Sequence, residues 1–337
     1  MTWINPDSEE VRRFLKENGC AEQFLPLRIE GSSRNYYRVR KTDEGSGAAN
    51  LILCLQAPFV AEAEDFLAVQ TMLEKARIPV PQIIATLPEK GMILQSDGGE
   101  NDLEAMLPEL SEQSQTEPLY LRIVDCIIAM QDMPLEAPVS GRYFNKEKLY
   151  WEMEFLFERL ERAATDFRID IVPAFELKMF LLEACDALGH QDPQVFTHRD
   201  LHSRNILLDS SDSREFTIID FQDARAGNRF YDLASLVFDP YASLSREVQT
   251  ACIDYYFQKC SLEKGRGILY LQGLQRVLKA LGSYLYLGRE MGKADFLNCI
   301  PPALDQLEGC LHLGRFPDSV FLFILDCKRK LLPALSL

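Results

Sequence analysis

His198-Arg199-Asp200-Leu201-His202-Ser203-Arg204-Asn205, followed fifteen residues after Asn205 by Asp220-Phe221-Gln222-Asp223, is the stretch whose reading decides the fold. Short apolar segments flank it: Val195-Phe196-Thr197 before, Ile206-Leu207-Leu208 after, and Phe216-Thr217-Ile218-Ile219 leading into Asp220. They read as strands, so two carboxylates and an amide sit on loops held by the core, the support a preorganised site requires. Asp200 suits a carboxylate that accepts or orients the proton of an attacking hydroxyl. Asn205 offers a neutral oxygen to a hard divalent cation without adding charge, and Asp220 offers the main metal carboxylate. An isolated Asp in a loop is ordinarily a turn or cap residue, and Asp97 and Asp209 are read that way. Asp200 differs, because His198, Asn205 and Asp220 all stand at the spacing this chemistry needs.

Upstream, Asn5-Pro6 predicts a helix start, with the helix ending near Asn18-Gly19. Residues 27–30, 36–41 and 51–56 read as strands, with the turn Gly31-Ser32-Ser33-Arg34-Asn35 between the first two and a polar hairpin loop over 43–50. A helix over 61–76 stops before Ile78-Pro79, and Ile83-Ile84-Ala85 and Met92-Ile93-Leu94 complete a small five-stranded sheet. Beyond residue 100 the spacing of apolar residues turns helical, over 117–131, 145–163, 174–190, 230–238, 245–259, 267–290 and 303–313. The expectation is an α+β chain: residues 1–96 form a β lobe with one helix, and residues 97–337 a larger, mainly helical lobe.

The composition narrows the function classes. With 47% hydrophobic and 26% charged residues, the 337-residue chain is neither disordered nor fibrous. Lys+Arg is 36 against 51 Asp+Glu, a formal charge of −15, which disfavours a nucleic-acid backbone or an anionic membrane as partner. Nine cysteines without a CxxC pair read as reduced core thiols. The opening Trp3-Ile4-Asn5-Pro6-Asp7 lacks the character of a secretion signal, and no apolar run reaches membrane-spanning length, so a cytoplasmic protein is expected.

HxDxxxxN followed by a strand ending Ile-Asp-Phe resembles the catalytic core of the aminoglycoside phosphotransferase and choline kinase superfamily, relatives of protein kinases. Four more segments are similar to that family in the same order: Gly31-Ser32-Ser33-Arg34-Asn35-Tyr36-Tyr37-Arg38-Val39 (the nucleotide loop), Ile78-Pro79-Val80-Pro81, Met92-Ile93-Leu94-Gln95-Ser96-Asp97 (the hinge that meets adenine) and Tyr231-Asp232-Leu233-Ala234. Together they cover roughly residues 27–240. A narrower resemblance, carried by His-Arg-Asp-x-His-Ser-Arg-Asn, Ile-Asp-Phe-Gln-Asp-Ala and Gln56-Ala57-Pro58, is to bacterial anomeric kinases of N-acetylmuramate and N-acetylglucosamine in cell-wall recycling.

The resemblance implies a bilobal protein-kinase-like fold and an ATP- and Mg²⁺-dependent small-molecule kinase. Asp200 orients a sugar hydroxyl, His198 anchors the catalytic loop, and Asn205 and Asp220 hold the metal. Gly31, Ser32, Ser33, Arg34, Arg38, Gln95 and Ser96 meet the nucleotide. His202 and Arg204 contact substrate or face solvent, with both readings open. Asp223 supports the metal site or the turn after it, and is kept as a substrate-side candidate. Asp232 is read as structural, and Trp151, Glu152 and Glu154 as lining the acceptor pocket or forming an ordinary amphipathic helix.

One departure stands out. Protein kinases and most of this superfamily place a Lys on the third strand to pair the nucleotide phosphates; Leu51-Ile52-Leu53-Cys54-Leu55-Gln56 has none, and in this the chain is similar to the amino-sugar subgroup, which lacks that Lys as well. Arg34, Arg38 and Arg40 are candidates for the missing cation, because an Arg fork suits phosphate oxygens. Glu62 or Glu64 is the candidate partner carboxylate. Two alternatives remain: a kinase of an aminoglycoside, choline-like or other hydroxyl acceptor, and a nucleotide-binding pseudokinase.

Overall fold

A computed structural model of the chain describes residues 8–27, 34–42, 50–61, 64–110, 113–208 and 215–335. The chain divides into two compact units, Met1–Asn101 with Leu207–Gln222, and Asp102–Ile206 with Asp223–Leu337.

The first unit is built on a five-stranded antiparallel sheet. Its strands are β1 (Cys20–Pro26), β2 (Asn35–Lys41), β3 (Asn50–Leu55), β4 (Ile83–Leu87) and β5 (Met92–Ser96), in the order β1-β2-β3-β5-β4. Helix α1 (Glu9–Glu17) starts where the Ser8 hydroxyl accepts from Val11 N–H. Val11, Phe14 and Leu15, spaced i, i+3, i+4, form its buried stripe, which shares one core with Phe24, Val39, Leu51, Leu53 and Leu94 of the sheet. The expected Asn5-Pro6 start lies outside the described residues. So does most of the 43–50 loop.

The first strand corrects the sequence reading. It starts as early as Cys20 and is described over Cys20–Pro26, with a register shift between Cys20 and Phe24, while residues 28–30 of the expected 27–30 strand lie outside the described residues. That bulge breaks the period-2 alternation from which a strand is recognised. Helix α2 (Asp65–Lys75) buries Phe66, Val69, Met72 and Leu73. The turn into β5 requires glycine: Gly91 has φ +65°, and a Cβ there would lie 2.0 Å from the Gln56 carbonyl oxygen.

The second unit is helical, completing the expected α+β class. Its elements begin with the two-residue strand β6 (Asn101–Asp102), which reaches it from the first unit, and continue through α3 (Leu103–Met106), α4 (Gln113–Gln131), α5 (Lys146–Phe167) and α6 (Phe175–Gly189). The chain then forms β7 (Val195–Thr197), β8 (Ile206–Leu208), β9 (Phe216–Ile218) and β10 (Arg225–Gly227). The run Leu207–Gln222 folds with the first unit, where Ile218 N–H donates to the Pro79 carbonyl at 2.7 Å.

Helices α7 (Tyr231–Val237), α8 (Arg246–Lys259), α9 (Arg266–Leu285) and α10 (Ile300–Leu313) follow the expected pattern. Helix α9 packs against α5 because Gly282 presents no side chain where the Leu156 backbone would meet a Cβ at 3.0 Å. Helices α11 (Asp318–Asp326) and α12 (Leu332–Ala334) extend the helical part beyond the elements read from sequence. Their signal was present in Val320, Phe323 and Ile324, buried at i, i+3, i+4 spacing. None of the nine cysteines is in a disulfide, and seven are buried. Among the described residues, no helix is long and apolar enough to cross a membrane.

Candidate active site

The loop that begins at His198 hangs from the two ends of α7. Strand β7 pairs antiparallel with β10, Thr197 opposite Arg225, and delivers a fully buried His198. Asp232, in the first turn of α7, accepts from the main-chain N–H of His198 at 2.7 Å and of Arg199 at 3.1 Å. Asp239, just beyond that helix, accepts from the N–H of Ser203 at 2.8 Å and of Tyr241 at 2.9 Å. These bonds hold Arg199 at φ +83°, a left-handed conformation that a non-glycine residue adopts at a cost of about 1–3 kcal/mol.

Asp200 is surrounded by cations. Lys279 Nζ donates to its Oδ1 at 2.9 Å, Arg276 Nη2 lies 3.6 Å from the same oxygen, and Arg199 Nε lies 3.8 Å from Oδ2. Burial pushes the Asp200 carboxyl up, but Lys279, Arg276 and Arg199 outweigh it and hold the group well below the ordinary carboxylate range. Lys279 and Arg276 went unremarked in the sequence. Their signal was two cations three residues apart in the middle of α9, among Leu274, Val277, Leu278 and Leu281. Arg276 is itself buried, donating from Nε to Ser235 Oγ at 2.8 Å.

Asn205 donates from Nδ2 to the Asp200 main-chain carbonyl at 2.8 Å and lies 3.4 Å from His202 Nε2. Burial lowers the His202 imidazole to about 3, so it is neutral at ordinary pH. A cavity beside Asp200 is lined by His202, Tyr241, Arg276, Lys279, Ser283 and Tyr284. Arg204 is held by the Glu104 carboxylate and stacks on the Tyr241 ring at 3.8 Å. Asp223 pairs with Arg199 at 2.8 Å. Glu152 is buried on α5 and accepts from Gln275 at 2.8 Å, while Trp151 and Glu154 are exposed, so none of the three lines this cavity.

In the first unit, Asp220 follows β9 at φ +66° and its Oδ1 accepts from Gln222 at 2.5 Å. Phe221 stacks on Phe66 of α2, centroids 5.0 Å apart and planes at 15°. Arg34 Nη2 donates to Glu64 Oε1 at 2.5 Å, and Glu64 Oε2 accepts from Gln56 at 3.1 Å. Arg38 is consumed otherwise: its fork donates to both Asp97 oxygens, at 2.5 and 3.2 Å, and to the Gly99 carbonyl at 3.0 Å. Asp97 is the turn residue read from sequence, its Oδ1 accepting from the Gly99 N–H at 3.2 Å, and it also anchors β2 through Arg38.

Gln95 is buried in β5, and Ser96 exchanges hydrogen bonds with Gln82 through both its main-chain N–H and its hydroxyl, each at 2.9 Å. Gly31, Ser32, Ser33 and Glu62 lie outside the described residues. The Cys54 thiol is a packed group, pushed up to about 11 by burial.

Residues 24–267 match the model of a phosphotransferase enzyme family. The chain is 25% identical over 299 residues to an N-acetylmuramate/N-acetylglucosamine kinase of Pseudomonas aeruginosa, covering 85% of this chain and 83% of that one. A kinase of the same description from Caulobacter vibrioides is 26% identical over 260 residues, covering 73% and 69%. Among solved structures, an ethanolamine kinase of Plasmodium vivax superimposes with a TM-score of 0.58 at 16% identity, covering 86% and 82%. An aminoglycoside phosphotransferase solved with streptomycin and ATP gives 0.55 at 12% identity, covering 88% and 97%. These likenesses establish the protein-kinase-like fold of the aminoglycoside and choline kinases.

Proposed function

The chain belongs to the phosphotransferase enzyme family, a phosphotransferase with a hydroxyl group as acceptor, and from that premise we propose that it transfers the γ-phosphate of ATP to the anomeric hydroxyl of N-acetylmuramate or N-acetylglucosamine. The observation that carries the proposal is the setting of Asp200, ionised by Lys279 and Arg276 and facing a cavity of the helical unit. In that setting an Asp200 oxygen accepts the hydrogen bond of the acceptor hydroxyl and orients its lone pair. The acceptor's hydroxyl oxygen bonds to the γ-phosphorus as the bond from the γ-phosphorus to the β–γ bridging oxygen breaks, the hydroxyl proton passes to the Asp200 carboxylate, and ADP leaves. Asp232 and Asp239 position the loop, His198 anchors it, and Arg199 is held by Asp223.

Asn205 and Asp220 suit Mg²⁺ as a donor set, since an amide oxygen and a carboxylate are hard ligands that leave further positions to phosphate oxygens and water. The Asn205 amide nitrogen is spent on the Asp200 carbonyl, which turns the amide oxygen away from that carbonyl. Bound Mg²⁺ would neutralise phosphate charge. Gly31, Ser32, Ser33, Arg34, Gln95 and Ser96 are proposed for the nucleotide, and His202 for the acceptor. Arg38, Arg204 and Asp223 support the site through the ion pairs that hold them.

The cavity weighs against cationic acceptors of the aminoglycoside or choline kind. Its side chains include Lys279 and Arg276, its Asp200 faces both, and its Asp239 is occupied by two main-chain donors. Purified protein with Mg²⁺·ATP is to be assayed against N-acetylmuramate, N-acetylglucosamine, kanamycin and choline, with mass spectrometry of the products. A phosphorylated amino sugar that no longer reduces alkaline copper is the expected product. Turnover of kanamycin or choline alone would overturn the acceptor. Tight nucleotide binding without turnover of any of the four would favour a pseudokinase.

A further inference from the structure

We propose that Arg34 and Glu64 replace the third-strand lysine and its helix glutamate, with Arg34 as the cation that contacts the nucleotide phosphates and Glu64 as its positioning residue. The inference rests on the nucleotide reading above and is independent of which acceptor is used. Strand β3 reads Asn50-Leu51-Ile52-Leu53-Cys54-Leu55 and carries no cation. Of the three arginines on or beside β2, Arg38 is committed to Asp97 and Gly99, and Arg40 is exposed.

Arg34 has a different setting. Its side chain is only 15% exposed, and its carboxylate partner, 12% exposed, immediately precedes α2. Glu64 is itself fixed from a second side by Gln56, the residue that follows β3. The Arg34 guanidinium also lies 5.2 Å from the centroid of Phe66, whose ring stacks on Phe221, the neighbour of Asp220. One cation is thereby tied to the start of α2, to the end of β3 and to the segment bearing the proposed metal carboxylate.

The geometry also shows where the lysine would have stood. Tyr36 pairs with Cys54 across β2 and β3, so the two share one face of the sheet, and Arg34, which stands just before β2, interacts with the Tyr36 hydroxyl. The Cys54 thiol is raised first by burial, but it also senses Arg34 and Glu64, which places both within electrostatic reach of that position. A cation entering from β2 occupies the neighbourhood that one from β3 would reach, and the guanidinium fork can hold Glu64 and a phosphate oxygen at once.

The test titrates full-length protein with Mg²⁺·ATP and, separately, with adenosine, by calorimetry. Arg34→Ala is expected to weaken Mg²⁺·ATP by about 10–100-fold, the scale of a lost charge-assisted contact, and to leave adenosine within about twofold. Arg34→Lys should recover part of the loss, and Glu64→Gln should weaken Mg²⁺·ATP by roughly 3–10-fold without affecting adenosine. Restoring a third-strand cation in Arg34→Ala/Cys54→Lys should regain Mg²⁺·ATP affinity. If Arg34→Ala fails to fold, Arg34→Lys and Glu64→Gln carry the same comparison.

Unchanged Mg²⁺·ATP binding in a folded Arg34→Ala protein would overturn the proposal, as would equal losses for Mg²⁺·ATP and adenosine, which mark a purely structural role. Wild-type protein that binds neither ligand would overturn it together with the nucleotide reading. Wild-type protein that binds Mg²⁺·ATP but phosphorylates no amino sugar would overturn only the acceptor.

Discussion

The two units wire their buried charge in opposite senses. Among the described residues of the sheet unit, the two least exposed guanidinium groups are matched by carboxylate: Arg34 by Glu64, and Arg38 by Asp97 and Glu100. In the helical unit one carboxylate, Asp200, faces Lys279, Arg276 and Arg199. A one-to-one pair offsets its own desolvation and holds a strand or helix end in place, whereas three cations around one acid leave local positive charge beside a cavity. The first arrangement builds a scaffold. The second suits an acid that must stay ionised next to an incoming hydroxyl and phosphate.

The largest expected effect breaks or upholds the second arrangement. Asp200→Asn should slow turnover by around 10²–10⁴, the scale of a positioned proton acceptor, in a steady-state assay on the amino sugar. Full activity would remove Asp200 from the chemistry. Asp232→Ala tests the scaffold of the same loop. Two main-chain donors, the buried His198 N–H and the partly buried Arg199 N–H, would lose their acceptor, so urea denaturation should show a loss of about 3 kcal/mol. A change under about 0.5 kcal/mol would mean that the loop holds without it.

Asp239 sharpens the comparison through pH. Burial raises its carboxyl to about 6, so the folded chain binds that proton more tightly than the unfolded chain does. The corresponding stability is fully present below about pH 4 and is lost as pH rises through about 6, amounting to at most about 3 kcal/mol. Asp239→Asn should remove that slope when urea midpoints of the two proteins are compared between pH 4 and 7. Parallel profiles would contradict it. At the small end, Arg266 and Asp254 form an exposed pair at 2.6 Å, and Arg266→Ala should cost no more than about 0.5 kcal/mol in the same titration.

Much of the fold was legible because its signals are local. The apolar spacing of α4 to α10 survives in the structure, and so do the short strands around the loop that bears Asp200. The strand over Cys20–Pro26 was not read because its bulge hides the alternation, and the C-terminal helices were overlooked although Val320, Phe323 and Ile324 announce them. Asp232 was legible in its role, and the structure supplies the two donors it serves. Arg38 drew attention as a free phosphate cation, but Asp97, fifty-nine residues away, holds it.

By itself, the sequence determined the class of the chain, the family it belongs to, the loop that bears Asp200 and Asn205, and the strand that leads into Asp220, because motifs and periodicity are properties of neighbours along the backbone. Only the tertiary structure decided which charge meets which. Lys279 reaches Asp200 across seventy-nine residues, and Glu64 reaches Arg34 across thirty. Neither pairing has a repeat or spacing that announces it. An ion pair forms wherever folding brings two side chains within a few ångströms out of water, and that proximity is set by the packing of whole helices and strands.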